Sequence, residues 1–537
     1  MSSRALVLQG GGPLGAYEAG VFRVLHDWFS KQKSDKNFFD VIAGTSIGAI
    51  NAAIITSYVK ERRKKGFSVS ESWKGSANKL ENFWNYVSSD PQISYMWSYH
   101  WINWKKKGGI NSKIASEEAA RRYYVTKEFL WDGAERVFSG PEIIYDEKFF
   151  DQSNIGYRYS NKPLRDTLQG KEGVEGFAKF PIETNADDNE PRLLVISVDI
   201  QESATVAFDS YPDKDGSRKS EYGRGESRLG EDTKEEHRYV IRYDDGIRLE
   251  HVMASASVPL FYDFTVIKES NSGSDRYFWD GALLSNTPLR ELISEHTLFW
   301  KEKLGSGNPL DALWGGRKVQ EVPDLDVYIV NVWPTKENHI PHDQDLTKDR
   351  MYDIMGCDKT DYDLKVATIV SDYLDLTFEL ISLAKDKRIS KEEVSKILNK
   401  LARSRFRTGE PRKYMDLLKG KFDVNEVLRV ERRDDLHSTS NKWADWSSIT
   451  ISSLLEEGKK DALTKLIQRL IDLVNNLSRD IQNRLIVPLN HAMQALAAGR
   501  PSYYDGVWIQ LTKFIEQIDI EEAHGKLDKE MVALLRP

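Results

Sequence analysis

Residues 40–54 read DVIAGTSIGAINAAI, and the reading of this stretch decides the fold. Residues 41–43 form a short apolar run of strand type, Gly44-Thr45-Ser46-Ile47-Gly48 is a glycine-flanked turn, and Ala49, Ile50, Ala52 and Ala53 begin a helix rich in small residues. A strand that turns sharply into a helix at Gly-x-Ser-x-Gly is a nucleophile elbow. The turn exposes Ser46 Oγ, the helix amino terminus favours the negative charge that develops there, and Gly44 and Gly48 leave room for the turn to pack. Extended to residues 41–59, the same stretch is 19 residues without a charge, long enough to span a bilayer. Gly44, Ser46, Gly48 and Asn51 suit it to a buried strand, turn and helix instead.

Working outward, residues 5–9 predict a strand, Gly10-Gly11-Gly12-Pro13-Leu14-Gly15 a turn and residues 17–28 a helix. Further strand-like runs lie at 193–198, 262–267 and 325–332. This pattern predicts an α/β fold, a mostly parallel central sheet flanked by helices, with glycine-rich turns at the carboxyl ends of its strands and the sheet ending near Pro334. Between residues 60 and 190 the alternation is lost, and 73–131 holds six of the 14 tryptophans, which reads as an aromatic cap. Its densest part, YMWSYHWINWKKK at 95–107, reads either as a cap packed on the core or as an interfacial membrane contact. Residues 209–238 carry few large apolar side chains and read as an exposed charged insertion.

After Pro334 helical periods dominate, so residues 1–335 read as the catalytic domain and 336–537 as a helical region. Val366, Ile369, Val370, Tyr373, Leu374, Leu380 and Ile381 mark one apolar stripe. Leu463, Leu466, Ile467, Leu470, Ile471 and Val474 mark another, and both are expected to face the core. Ser390 with Glu393 predicts a capping box.

With 83 acidic against 76 basic side chains the formal net charge is −7, which argues against an unselective nucleic-acid binder. The single cysteine, Cys357, excludes an intrachain disulfide framework and fits a reducing compartment. The first residues pass directly into a strand without a basic stretch or a long apolar one, so no secretory signal is expected and a cytoplasmic location fits.

The glycine loop admits two readings. Gly10 to Gly15 fits the G-x-G-x-x-G of a dinucleotide-binding turn, which wants an acidic residue about 20 positions on at the end of the second strand. Asp40 lies before that strand, and the strand ends instead in the serine turn. The alternative is an oxyanion hole, in which backbone amides of Gly11 and Gly12 meet a substrate oxygen as it gains charge. The serine also needs a base. His339 or His342, in the loop after the last strand, would suit an α/β-hydrolase order; His251 is a third histidine, with a structural role expected. Asp280, in YFWDGALLSNTPL at 277–289, is a carboxylate at the end of an aromatic strand that could take the proton directly. The residues alone do not choose between Asp280 and His339.

Taken together and in order, GGGPLGAYEAG, DVIAGTSIGAINAAI, HVMASASVPLFY and YFWDGALLSNTPL resemble the patatin-like phospholipase family, most closely its longer prokaryotic-type members with a helical extension. WSSITISSLLEEGKKDA at 446–462 also resembles that extension. The resemblance implies a catalytic dyad of Ser46 and Asp280 without histidine. It also implies an oxyanion hole from the loop Gly10, Gly11, Gly12 and Gly15, and acyl transfer through an acyl-enzyme. Gly281 and Ala282 support the aspartate motif, with alanine where many members carry a second glycine. The implied substrate is a lipid ester, with no cofactor and no metal. A catalytically idle scaffold on the same fold is the competing reading.

Overall fold

The computed structural model describes residues 2–33, 35–90, 117–140, 159–171, 173–212, 240–243, 246–269, 273–304, 308–315, 322–337, 340–405, 411–433, 438–499 and 501–536. The run 95–107, His339 and most of the insertion 209–238 lie outside the described residues.

Nine described strands build the main sheet. In chain order they are β1 (Ser2–Leu8), β2 (Val41–Thr45), β3 (Arg192–Asp199), β4 (Ala204–Asp209), β5 (Val240–Tyr243), β6 (Thr265–Lys268), β7 (Asp275–Asp280), β8 (Asp324–Asn331) and β9 (Val424–Glu431). The helices used below are α1 (Gly15–Phe29), α2 (Ile47–Lys64), α3 (Ser76–Val87), α4 (Leu249–Ser255), α5 (Leu289–Leu304), α6 (Gln344–Gly356), α7 (Asp361–Asp386) and α8 (Ser448–Asn475). Strands β3, β2, β1, β8 and β9 run parallel, and β7 and β6 continue from β3 antiparallel. The charge-free stretch 41–59 is thus strand, turn and helix, and no described helix is long and apolar enough to cross a membrane.

Alternation along the strands sends successive side chains to opposite faces. Leu6, Leu8, Ile42, Leu193 and Val195 pack in one core with α1 and α2, whereas Ala5, Val7, Val41, Ala43 and Leu194 pack in another with Leu289 and Leu292 of α5. A parallel sheet covered on both faces needs strands apolar on both sides, which is why these runs stood out in the sequence.

The sheet does not end near Pro334, as expected from the sequence: β9 pairs in parallel with β8, Val427 opposite Val327 and Val430 opposite Val330. Its sequence, VNEVLRVE, is broken by charge because an edge strand has one neighbour and a half-exposed surface. The later helical segments also seal the first core. Helices α1 and α8 cross with backbones in contact: a Cβ on Gly20 would lie 2.0 Å from the Leu455 carbonyl oxygen, and one on Gly458 2.1 Å from that of Tyr17. Leu463, Leu466, Ile467, Leu470 and Val474 of α8 are buried, as expected. Trp84 of α3 stacks on Trp446 at 5.8 Å, so part of the aromatic cap packs inward. The Ser390–Glu393 capping box caps the helix Lys391–Leu398.

The stripe on α7 points the other way from expectation. Val366, Ile369, Val370, Tyr373 and Leu380 are exposed, and among its seven residues only Ile381 is buried and Leu374 half-buried. This helix is apolar on two sides, and Leu364, Leu374, Phe378 and Ile381 take the inward one.

Candidate active site

The sheet register brings two strand tips together. Strand β2 runs parallel along one edge of β3 and ends with Thr45 opposite Ile196. Strand β7 runs antiparallel along the same edge from the other end and stops with Asp280 opposite Ser197, the next residue. The chain segments beyond Thr45 and Asp280 therefore meet head to head, with Ser46 on one side and the aspartate on the other. Gly281 must be glycine here, because a Cβ would lie 2.4 Å from the Ile196 carbonyl oxygen.

Ser46 sits at φ +55°, a left-handed conformation that costs a non-glycine residue energy and persists where surrounding structure enforces it. Its amide donates to Ser255 Oγ at 2.8 Å, and Ser255 Oγ donates to the Ile196 carbonyl, which fixes the turn to α4 and to β3. Gly48 presses on the carbonyls of Leu8 and Gln9 and Gly44 on the Gly48 backbone, so each flanking glycine is a close approach.

Asp280 is buried among aromatic strand residues, and one oxygen accepts the Ala282 amide at 2.8 Å. Burial pushes its pKa up to about 7, against the smaller opposite pull of the Ser46 hydroxyl and the Ala282 amide. The serine hydroxyl is near enough to exert that pull, yet Oδ2 has no partner at full hydrogen-bond geometry among the described residues.

The glycine loop closes the third side. A Cβ on Gly10 would lie 2.9 Å from Ser46 Cβ and 2.6 Å from Asn286 Oδ1, so the loop backbone rests directly on the serine turn. The Gly10 amide donates to Asn286 Oδ1 at 3.0 Å, and its carbonyl accepts from Asn286 Nδ2 at 3.3 Å and from Trp333 Nε1 at 2.6 Å. Gly10 is therefore a tethered position. The amides of Gly11 and Gly12 give no hydrogen bond to the described residues, and Gly12 adopts φ +58° against the Trp443 carbonyl. Gly15 starts α1 against Ile47 and Trp84. Beneath the loop Glu18 is fully buried and accepts the Gln9 amide at 2.6 Å and Asn51 Nδ2 at 2.8 Å.

Among the described residues, the candidate histidines His251 and His342 do not join this cluster. His251 is buried on the Phe208 ring at 4.4 Å, caps α4 through the Arg248 amide, and has its pKa lowered by burial to about 3, which makes it a structural neutral imidazole. His342 is exposed on a loop, and His339 lies outside the described residues. Sequence reasoning missed Asn286 and Trp333, which hold the loop, and Ser255, which holds the serine; Asn286 and Ser255 nonetheless lie inside quoted motifs. A cavity of about 1490 Å³ opens at the amino ends of the strands around Arg4, Asp40 and Asp324, away from the cluster. The cluster itself occupies the carboxyl ends, where parallel α/β sheets place their sites.

The family model for patatin-like phospholipases matches residues 6–293, more than half of the chain. The chain belongs to the patatin-like phospholipase family. Lipid acyl hydrolysis is thereby its general class of activity. No curated protein matches the chain. Among solved structures, VipD from Legionella pneumophila is similar at 10% identity, covering 100% of this chain and 83% of that one with a TM-score of 0.29, too low to carry an argument.

Proposed function

We propose that this patatin-like protein is a serine lipid acyl hydrolase of phospholipase A or lipase–esterase type, working through Ser46 and Asp280 without a histidine. The observation that carries the reading is the shared edge of β3, which faces the tips of β2 and β7 and sets a buried carboxyl against the serine turn. A base with a pKa of about 7 is part ionised at neutral pH and accepts the hydroxyl proton at little cost.

In the proposed sequence Ser46 Oγ attacks the ester carbonyl while Asp280 takes its proton. The carbonyl oxygen, now carrying charge, is met by the amides of Gly11 and Gly12 and by the amino terminus of α2. Collapse expels the alcohol, which receives the proton from Asp280, and leaves an acyl-enzyme. Water, giving its proton to Asp280, then attacks the acyl carbonyl, and collapse releases the fatty acid while Asp280 returns that proton to Ser46 Oγ. Gly10 and Gly15 shape this hole, and Gly281 with Ala282 holds Asp280. The lipid class rests on the family and on the apolar rim: Leu283 and Leu284 follow the aspartate turn and stand exposed, as does Leu260. A lipid ester has to leave its chain in an apolar phase, which such a rim offers. Peripheral contact with a membrane fits the same rim.

The test is hydrolysis of short- and long-chain p-nitrophenyl esters by the wild type, Ser46→Ala, Asp280→Asn and His339→Ala, with folding followed by circular dichroism. Loss with the first two and retention in the third supports the dyad. Activity that survives Asp280→Asn and disappears with His339→Ala moves the base to a histidine, and a folded but inert wild type favours the idle scaffold.

A further inference from the structure

The outer face of α7 carries a heptad seam. Tyr362, Val366, Ile369, Tyr373, Leu376, Leu380 and Leu383 follow one another at alternating steps of four and three, and they are 40% to 72% exposed. A 3.5-residue period held over three heptads is the pattern of a helix that packs lengthwise on another helix, narrower than the face a helix turns to a core. The inward side of α7 is already filled by Leu364, Leu374, Phe378 and Ile381, so the seam is additional. Its exposed apolar area is roughly 700 Å² per copy, above the few hundred that monomers leave open and near the 800 Å² each partner buries in a standard interface.

The charges around the seam choose the occupant. Helix α7 has six acidic residues against two lysines, whereas a helix that lies on an anionic bilayer is flanked by lysine and arginine. Asp361 and Asp375 are engaged by Arg429 and Lys421 of the same chain, and one flank carries Lys365, Asp372, Glu379 and, at the helix end, Asp386. Against a second α7 running antiparallel, Val366 meets Leu376, Ile369 meets Tyr373 and Tyr362 meets Leu380. In that register Lys365 faces Glu379 twice, Val370 faces Val370, and a single Asp372 pair is repulsive. A parallel pair would set Lys365, Asp372 and Glu379 beside Val370, Thr377 and Ala384, with no ionic match. We propose that the chain forms a two-fold symmetric dimer through antiparallel pairing of α7, a contact independent of the proposed chemistry.

The test uses the full chain in sedimentation velocity over a micromolar concentration series. The wild type is expected as a dimer. Ile369→Lys with Leu376→Lys should weaken it at least about 30-fold, the scale of one interface hot spot, while circular dichroism and melting stay unchanged because both side chains are exposed. Lys365→Glu should weaken the dimer, and adding Glu379→Lys should restore it. Val370→Cys in a Cys357→Ser background should form an intermolecular disulfide on mild oxidation, as residue 370 sits at the axis. A monomeric wild type, a dimer indifferent to Ile369 and Leu376, or a seam whose substitution abolishes only vesicle binding would each overturn the proposal.

Discussion

Asp280→Asn should stabilise the protein at neutral pH while removing its activity. The structure holds the Asp280 pKa at about 7, against 3.8 for the free carboxyl, because burial disfavours its charge. The folded protein therefore grips this proton more tightly than the unfolded chain. Stability from this group is greatest below about pH 4, falls as pH rises to about 7, and is level above, where both states have lost the proton. At about 1.4 kcal/mol per pH unit the loss over that window is about 4 kcal/mol. Asparagine is neutral throughout and escapes it. The gap between variant and wild type should then widen by about 4 kcal/mol from pH 4 to pH 8. With an unfolding entropy of about 2.1 cal/mol/K per residue, that is roughly 3 to 4 °C in melting temperature. Differential scanning calorimetry at several pH values reads the gap, and comparing it across pH cancels whatever the amide does to packing. In Ser46→Ala the widening should be larger, since the hydroxyl that holds the pKa down is gone. A gap that stays constant, or narrows as pH rises, would refute the claim that an ionised Asp280 is a strained, buried charge.

The same titration governs rate: log kcat/KM should climb with pH and level off above about 7, and a plateau already reached at pH 5 would contradict Asp280 as the base. Asn286→Ala removes the side chain that grips both ends of Gly10 and also donates to the Gly356 carbonyl at 2.7 Å; kcat should fall about 100-fold with KM little changed, as for a misplaced reacting group. Glu18→Gln turns one of two buried acceptors into a donor facing the Gln9 amide or Asn51 Nδ2, and chemical denaturation should record a loss of about 2–3 kcal/mol. Gly458→Ala drives a methyl into the Tyr17 carbonyl and should cost about 3 kcal/mol or more, with the core and α8 still unfolding in one transition.

How far this was legible in the sequence depends on the distance over which each signal acts. The serine elbow is local: its strand, its two glycines and its helix lie within residues 41–64, and the structure has strand, turn and helix in that order. Strand β7 and its terminal Asp280 could likewise be read, but the nearness of Asp280 to the Ser46 turn could not, because it is fixed by which edge of β3 each strand takes. Two registers with β3 thereby bring together residues more than 200 positions apart, and no period along the chain encodes them. Strand β9 escaped notice for a related reason, since an edge strand with charged outward positions lacks the apolar run that marks a central one.

Helix α7 shows the limit most directly. Its periodicity was legible and its direction was not, because a stripe states that a helix has an apolar face and leaves the identity of the neighbour open. Leu374 and Ile381 belong to the inward side and Val366, Ile369, Tyr373 and Leu380 to the outward one, so the stripe read as one face combines two. Separated by side, the outward residues fall on a stricter 3.5 spacing than the mixed set. An apolar helix that satisfies the fold with one side and keeps a regular second side exposed holds a surface the monomer does not need for its own stability. Helix α8 provides the contrast within the same chain: its stripe is buried along its length against the first core, and its glycine meets a backbone carbonyl of α1. The two helices read alike in sequence, and only the long-range packing partner separates a seam that completes the fold from one that is available to a second copy.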